Sequence, residues 1–155
     1  MRMFRGLPLY MVNLYPMSQC FIVQRILPLE NMNLITYKNT PGFDKDLKKM
    51  LKKFRTLEGD IEVVKKNAIE LFHLQKIDNN SVELIPSFCN NELKVCKIRK
   101  FACKALKGFG VQSGIRIIYT YHVEDNTVDF IEIYLKGESE NEDKSRIKEY
   151  LDGII

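Results

Sequence analysis

Apolar and polar positions along this chain recur with two periods, and the places where one period gives way to the other mark its elements. NLITYKNT alternates, with Leu34, Thr36 and Lys38 on one side and Ile35, Tyr37 and Asn39 on the other, which predicts a short strand. The period then lengthens. Phe43, Leu47, Met50, Leu51 and Phe54 recur at helical spacing behind a start signal, Thr40 as cap and Pro41 at the first helical position, where a missing N–H costs nothing. The pattern resets between Arg55 and Asp60. Thr56 is a second candidate cap, Glu58, Asp60 and Glu62 suit a helix N-terminus, and Leu57, Ile61, Val64, Ala68 and Leu71 form a second stripe. The segment from Pro41 to about His73 is therefore expected to be a two-helix hairpin, with His73 at the surface or partnering a helix C-terminus rather than serving as a base. A turn-rich connection follows, marked by Asn79-Asn80-Ser81 and Pro86, in which VELI can form a short edge strand.

From Lys94 to Lys136 the period shortens again, giving three strands: KVCKIRKFAC, GIRIIYTYHV and TVDFIEIYLK. In the first, alternation sends Cys96, Ile98 and Ala102 to one side and Lys97, Arg99 and Phe101 to the other. In the last, it sets Asp129, Ile131, Ile133 and Leu135 against Val128, Phe130, Glu132, Tyr134 and Lys136. Asp125-Asn126 turns the second into the third, and ENEDKSRIKEYL reads as a closing helix with Ile147, Tyr150 and Leu151 on its apolar side. The expected fold is α+β: a small antiparallel β-sheet packed against an N-terminal two-helix hairpin, with a short C-terminal helix.

Composition refines this picture at few points. The 155 residues suit one domain, and a hydrophobic content of 45% is ordinary. Residues 1–32 carry no periodicity; they are expected to be an extension outside the domain at 33–155, either poorly ordered or upstream of a natural start at Met32. Prolines and Arg25 break the apolar run there, which excludes a signal peptide or a membrane span. Cys20, Cys89, Cys96 and Cys103 form no Cys-x-x-Cys pair, and His73 and His122 sit at no ligand spacing, so neither a metal nor another cofactor is expected and the thiols suit a reducing cytoplasm.

The formal charge of +4 is mild, but its distribution is not. Lys94, Lys97, Arg99, Lys100, Lys104 and Lys107 face Glu92 alone between Cys89 and Gly110, whereas Glu138, Glu140, Glu142 and Asp143 crowd the C-terminal stretch. A local basic surface attracts phosphate even on a nearly neutral protein, and an aromatic such as Phe101 beside it would let a base stack. Lysines equally protect a strand edge, and Phe101 equally suits the core. Arg116 lies among apolar neighbours, where an arginine needs either a carboxylate, Glu132 or Asp129, or a bound phosphate. Gly108, Gly110 and Gly114 punctuate the loop KALKGFGVQSG, which lacks the Gly-Lys-Ser/Thr of a nucleotide-binding loop.

Taken together, TPGFDKDLKKMLKKF after the first strand, KIRKF, SGIRIIYTY and IEIYLKGESENEDKSRIKEYL, in that order over about residues 33–152, resemble the RelE/ParE superfamily of toxin–antitoxin toxins. The resemblance implies a cytoplasmic toxin, neutralised by a cognate antitoxin protein, that acts on mRNA on the ribosome and involves no membrane. It implies an mRNA interferase that uses the RNA 2′-hydroxyl as nucleophile, with Arg116 as transition-state clamp and Lys97 and Arg99 as phosphate ligands or proton movers. Lys94, Lys100, Lys104, Lys107 and Lys136 then become RNA-backbone contacts. The C-terminal arginine and tyrosine or histidine common in RelE-type nucleases are replaced by Gly137-Glu138-Ser139-Glu140. A ParE-like inhibitor of DNA gyrase and a non-catalytic RNA-binding module are the alternatives.

Overall fold

A computed structural model describes residues 34–154. The expected extension at 1–32 and a start at Met32 lie outside the described residues. The described residues form an α+β fold, with five strands in one mixed sheet and three main helices. Strands β1 (Thr36–Asn39), β2 (Val82–Leu84), β3 (Leu93–Ile98), β4 (Ile115–His122) and β5 (Thr127–Leu135) stand in the order β1-β5-β4-β3-β2. All neighbours are antiparallel except β1, which runs parallel to β5. The expectation of a purely antiparallel sheet is corrected at that edge. The helical connection after β1 returns the chain to the sheet on a different strand, which leaves β1 free to pair parallel.

Helix α1 (Pro41–Leu51) begins as its signals dictate: Thr40 is extended, its hydroxyl accepts from the Phe43 N–H at 3.2 Å, and Pro41 follows. Helix α2 (Leu57–Val64) continues through a π-helical turn (Lys65–Glu70) into a last turn, Leu71–His73. Thr56 does not cap it. Its hydroxyl donates instead to Asp60 at 2.8 Å and accepts from the Ala105 N–H at 3.0 Å, tying the helix start to the loop after β3. The wide π turn shifts the phase of the stripe, so that Ile69 and His73 enter the core and Leu71 is only half-buried. His73 is thus corrected from a surface position to a buried one.

The sheet has two differently covered faces. Against the hairpin pack Cys96, Ile98, Ile115, Ile117, Tyr119, Val128, Phe130 and Ile133, with Phe43 and Tyr37 stacked on Phe130 at 5.1 and 5.9 Å. Against helix α3 (Lys144–Asp152) pack Val95, Ile118, Ile131 and Tyr134 around the fully buried Ile147. Asp143 caps α3, accepting from Ser145 and Arg146. A bulge between Ile118 and Tyr119 opposes Ile118 to Glu132 and Tyr119 to Phe130. It corrects the simple alternation read in β5: Val128 and Phe130 share the hairpin face with Ile133, while Ile131 joins Tyr134 under α3. No helix among the described residues is long and apolar enough to cross a membrane.

Candidate nucleic-acid interface

Four cations converge where β3 ends, β4 begins and β5 ends. Arg99 and Lys100 leave β3, Arg116 is the second residue of β4, and Lys136 follows β5; all four line one open hollow of about 470 Å³, with Asn80, Val111, Gln112 and Gly114 completing its wall. The backbone fixes this meeting point. The Lys136 N–H donates to the Gly114 carbonyl at 2.9 Å, extending the β4–β5 ladder by a step, and the Arg99 N–H donates to Ser81 at 2.8 Å.

Arg116 is half-buried, and its guanidinium donates to the carbonyl of Ile115 at 3.0 Å. No carboxylate among the described residues lies within ion-pair distance of it. Both sequence-expected partners are committed elsewhere. Glu132 accepts from the Asp143 N–H at 3.0 Å, and Asp129 is engaged by His122 and Tyr150. Burial pushes the Glu132 carboxyl above the ordinary range, against the pull of the Asp143 amide and Arg146. Arg99 meets Glu83 at 3.3 Å, but this pair is solvent-exposed and therefore weak. Four positive charges around a hollow whose lining contains no acid repel one another unless an anion enters.

The other cations singled out in the sequence lie elsewhere. Lys97 shares the α3 face but not the hollow: it donates to Glu142 at 2.8 Å, with both side chains largely covered. Burial lowers the Lys97 pKa, yet the hydrogen bond to Glu142 and nearby Tyr134 outweigh it, so the ammonium is held above its usual value. For Glu142, burial raises the carboxyl, and Lys97 outweighs it in the opposite sense. Lys97 is thus a clamped cation, not a lysine tuned down for proton transfer. Lys94 belongs to the hairpin side, where its charge acts on His73. Lys104 and Lys107 are exposed on the loop beyond β3, and the Lys104 N–H is held by Asp60 at 3.0 Å. Phe101 is fully buried in the hairpin-side core, so it cannot stack on a ligand. β3 stops at Ile98, and the break at Arg99 and Lys100 lets the chain turn the ring inward.

A second polar group, missed in the sequence, sits at the far end of the same face. His122 Nε2 lies 3.2 Å from Asp129 Oδ2 and 3.3 Å from the Tyr150 hydroxyl, which donates to Asp129; Thr120 donates to Tyr150 at 3.3 Å. Burial, then Asp129, raises the Tyr150 pKa. The β4–β5 register carries half of this signal, since Thr120 opposes Asp129 and His122 opposes Thr127, making His122 and Asp129 diagonal neighbours. Tyr150 arrives from a helix far along the chain and leaves no local trace. Five residues of β4 lie between His122 and Arg116, six steps or roughly 20 Å of strand at the usual rise, too far for the imidazole to exchange protons with a group in the hollow.

No family model matches the chain, and no curated protein or solved structure matches it significantly.

Proposed function

We propose that the chain is a toxin of the RelE/ParE type that holds the phosphodiester backbone of mRNA in the hollow of Arg99, Lys100, Arg116 and Lys136 and cleaves it on the ribosome. The observation that carries this reading is that these four cations meet in one open hollow with no carboxylate in its lining. In such a cleavage the 2′-oxygen attacks phosphorus and loses its proton, the P–O5′ bond breaks, and O5′ takes up a proton. Charge builds on the phosphoryl oxygens at the crowded intermediate. Arg116, already oriented by its bond to the Ile115 carbonyl, presents a planar fork of N–H donors to those oxygens before the reaction starts. Arg99, Lys100 and Lys136 hold the flanking backbone. The partner expected to silence this surface is an antitoxin that brings acidic residues across the cation row.

A second reading rests on a specific feature of the lining. It contains no imidazole, carboxylate or phenol, and Lys97 is held protonated by Glu142. A hollow that binds without moving protons suits a non-cleaving RNA-binding module or a ParE-like gyrase inhibitor.

Inducible expression with primer extension on abundant messages separates these readings. The nuclease reading expects arrested protein synthesis, new 5′ ends on ribosome-bound messages, and relief of both by Arg116→Ala. Arrest with intact messages leaves a non-cleaving binder, and filamentous cells with altered plasmid supercoiling indicate gyrase. Normal growth with none of these effects overturns the toxin reading.

A further inference from the structure

Among the described residues Phe109 is the only exposed aromatic side chain, 62% accessible, and Val111 beside it is 50% accessible. Leaving a phenylalanine in water forgoes a burial that every other described aromatic ring gains at least in part. The loop that carries it is not loose. At one end Lys104 and Ala105 are held by Asp60 and Thr56, and Leu106 packs on the core. At the other, Gln112 bridges to Phe101, and Ser113 donates to the Phe101 carbonyl. Between these anchors Gly108 and Gly110 both take left-handed backbone angles, φ 86° and 51°, which kink the tip on either side of Phe109 and point its ring away from the core.

The tip is joined to the cation hollow. The Gln112 N–H donates to the Phe109 carbonyl at 2.9 Å, closing a tight turn, and Val111 and Gln112 are themselves part of the hollow's wall. Turn geometry places the Cα atoms of Phe109 and Gln112 within about 7 Å. No acid occurs in the sequence from Cys103 to Arg116, and Lys104 and Lys107 add positive charge to the same loop.

We propose that Phe109 and Val111 form an apolar platform for an unstacked base of a single-stranded nucleic acid whose phosphate occupies the hollow of Arg99, Lys100, Arg116 and Lys136. This rests on the nucleic-acid reading of that hollow and names its substrate class. A duplex keeps its bases stacked on one another and has none to offer the ring, whereas a single strand presents a base face beside each phosphate. Aromatic stacking of this kind accepts any base, so the platform selects strandedness more than sequence.

The test is anisotropy titration of the full chain against three short probes: a single-stranded RNA, the same strand with abasic sites, and the corresponding duplex. The wild type is expected to bind the single strand most tightly. Phe109→Ala should weaken that binding by roughly 5- to 150-fold, the usual range for one stacked base. It should leave the abasic probe unchanged, and Phe109→Trp should restore affinity. The chain contains no tryptophan, so F109W also supplies a single indole, whose selectively excited emission should be quenched by the single strand and not by the abasic probe. Arg99→Ala/Arg116→Ala should weaken all probes. If that double variant loses binding while Phe109→Ala does not, or if Phe109→Ala weakens the abasic probe equally, the platform is overturned and the hollow stands. If the wild type binds none of the probes, both fall.

Discussion

On the face of the sheet beneath the helix hairpin, His73 and Cys96 persist as neutral groups. His73 is buried, its Nε2 is 2.9 Å from the Tyr119 hydroxyl and its ring stacks on Tyr121 at 3.9 Å; burial, with help from Lys94 and Lys76, lowers its pKa to about 3. Burial likewise drives the Cys96 thiol up to about 12. Around α3, charges persist by finding partners, as Lys97 does with Glu142 and Arg146 of α3 with Asp46 of α1 at 2.6 Å. The exception is the open end of the sheet face beneath α3, where Arg116 has no carboxylate partner among the described residues. The contrast teaches where to look for chemistry. Both faces neutralise or pair the buried charges named above, so an arginine left facing three other cations is the place to test for an external anion.

The sharpest way to break this comparison is to damage each face and measure stability. Phe130→Ala removes the ring on which Phe43 and Tyr37 stack and should cost about 3–5 kcal/mol in denaturant unfolding. Arg116→Ala should cost under about 1.5 kcal/mol, since the side chain is half-buried and gives up its bond to the Ile115 carbonyl but breaks no ion pair. Comparable destabilisation by the two would mean that Arg116 is structural.

The next effect is a pH dependence. The folded state holds His73 neutral down to about pH 3, whereas the unfolded chain protonates it near the ordinary value of about 6.5. Between these values the unfolded state binds more protons, so stability falls as pH falls through that window. From pH 7 to pH 5 this amounts to about 2 kcal/mol. His73→Gln should lose that slope while the rest of the profile persists; an unchanged slope would place the titration elsewhere.

A smaller effect sharpens the contrast within the α3 face. A double-mutant cycle of Lys97→Met and Glu142→Gln should give a coupling of about 1–2 kcal/mol at neutral pH. Glu142 has a depressed pKa, so this coupling is complete above the ordinary carboxylate range and disappears as pH falls through the lowered value. Zero coupling would mean that Lys97 is as open as Arg116.

Much of this fold is legible in local patterns. Thr40-Pro41 marks a helix start, the isoleucine- and tyrosine-rich run marks β4, and ENEDKSRIKEYL marks the closing helix α3. What escapes is whatever depends on a break in period. The π turn rotates Ile69 and His73 inward, and the β4–β5 bulge moves Ile131 across the sheet, and neither carries a residue signature. The cation cluster is half legible. Alternation puts Lys97, Arg99 and Arg116 on one face, but the clamp on Lys97 comes from Glu142, 45 positions along the chain, and no local pattern reports a contact over that distance. The stacking ring read at Phe101 is lost for a related reason. β3 ends at Ile98, earlier than its composition suggests, which buries that ring.

The most direct test of the central claim is the salt dependence of single-stranded RNA binding by the wild type, Arg99→Ala/Arg116→Ala and Lys97→Met. If the hollow holds phosphates, the double variant should bind at least about tenfold more weakly, and its log–log salt slope should shrink by about 0.7 for each phosphate it no longer neutralises. Lys97→Met, its cation already neutralised by Glu142, should keep the wild-type slope. An unchanged slope in the double variant, or a reduced slope in Lys97→Met alone, would contradict the account.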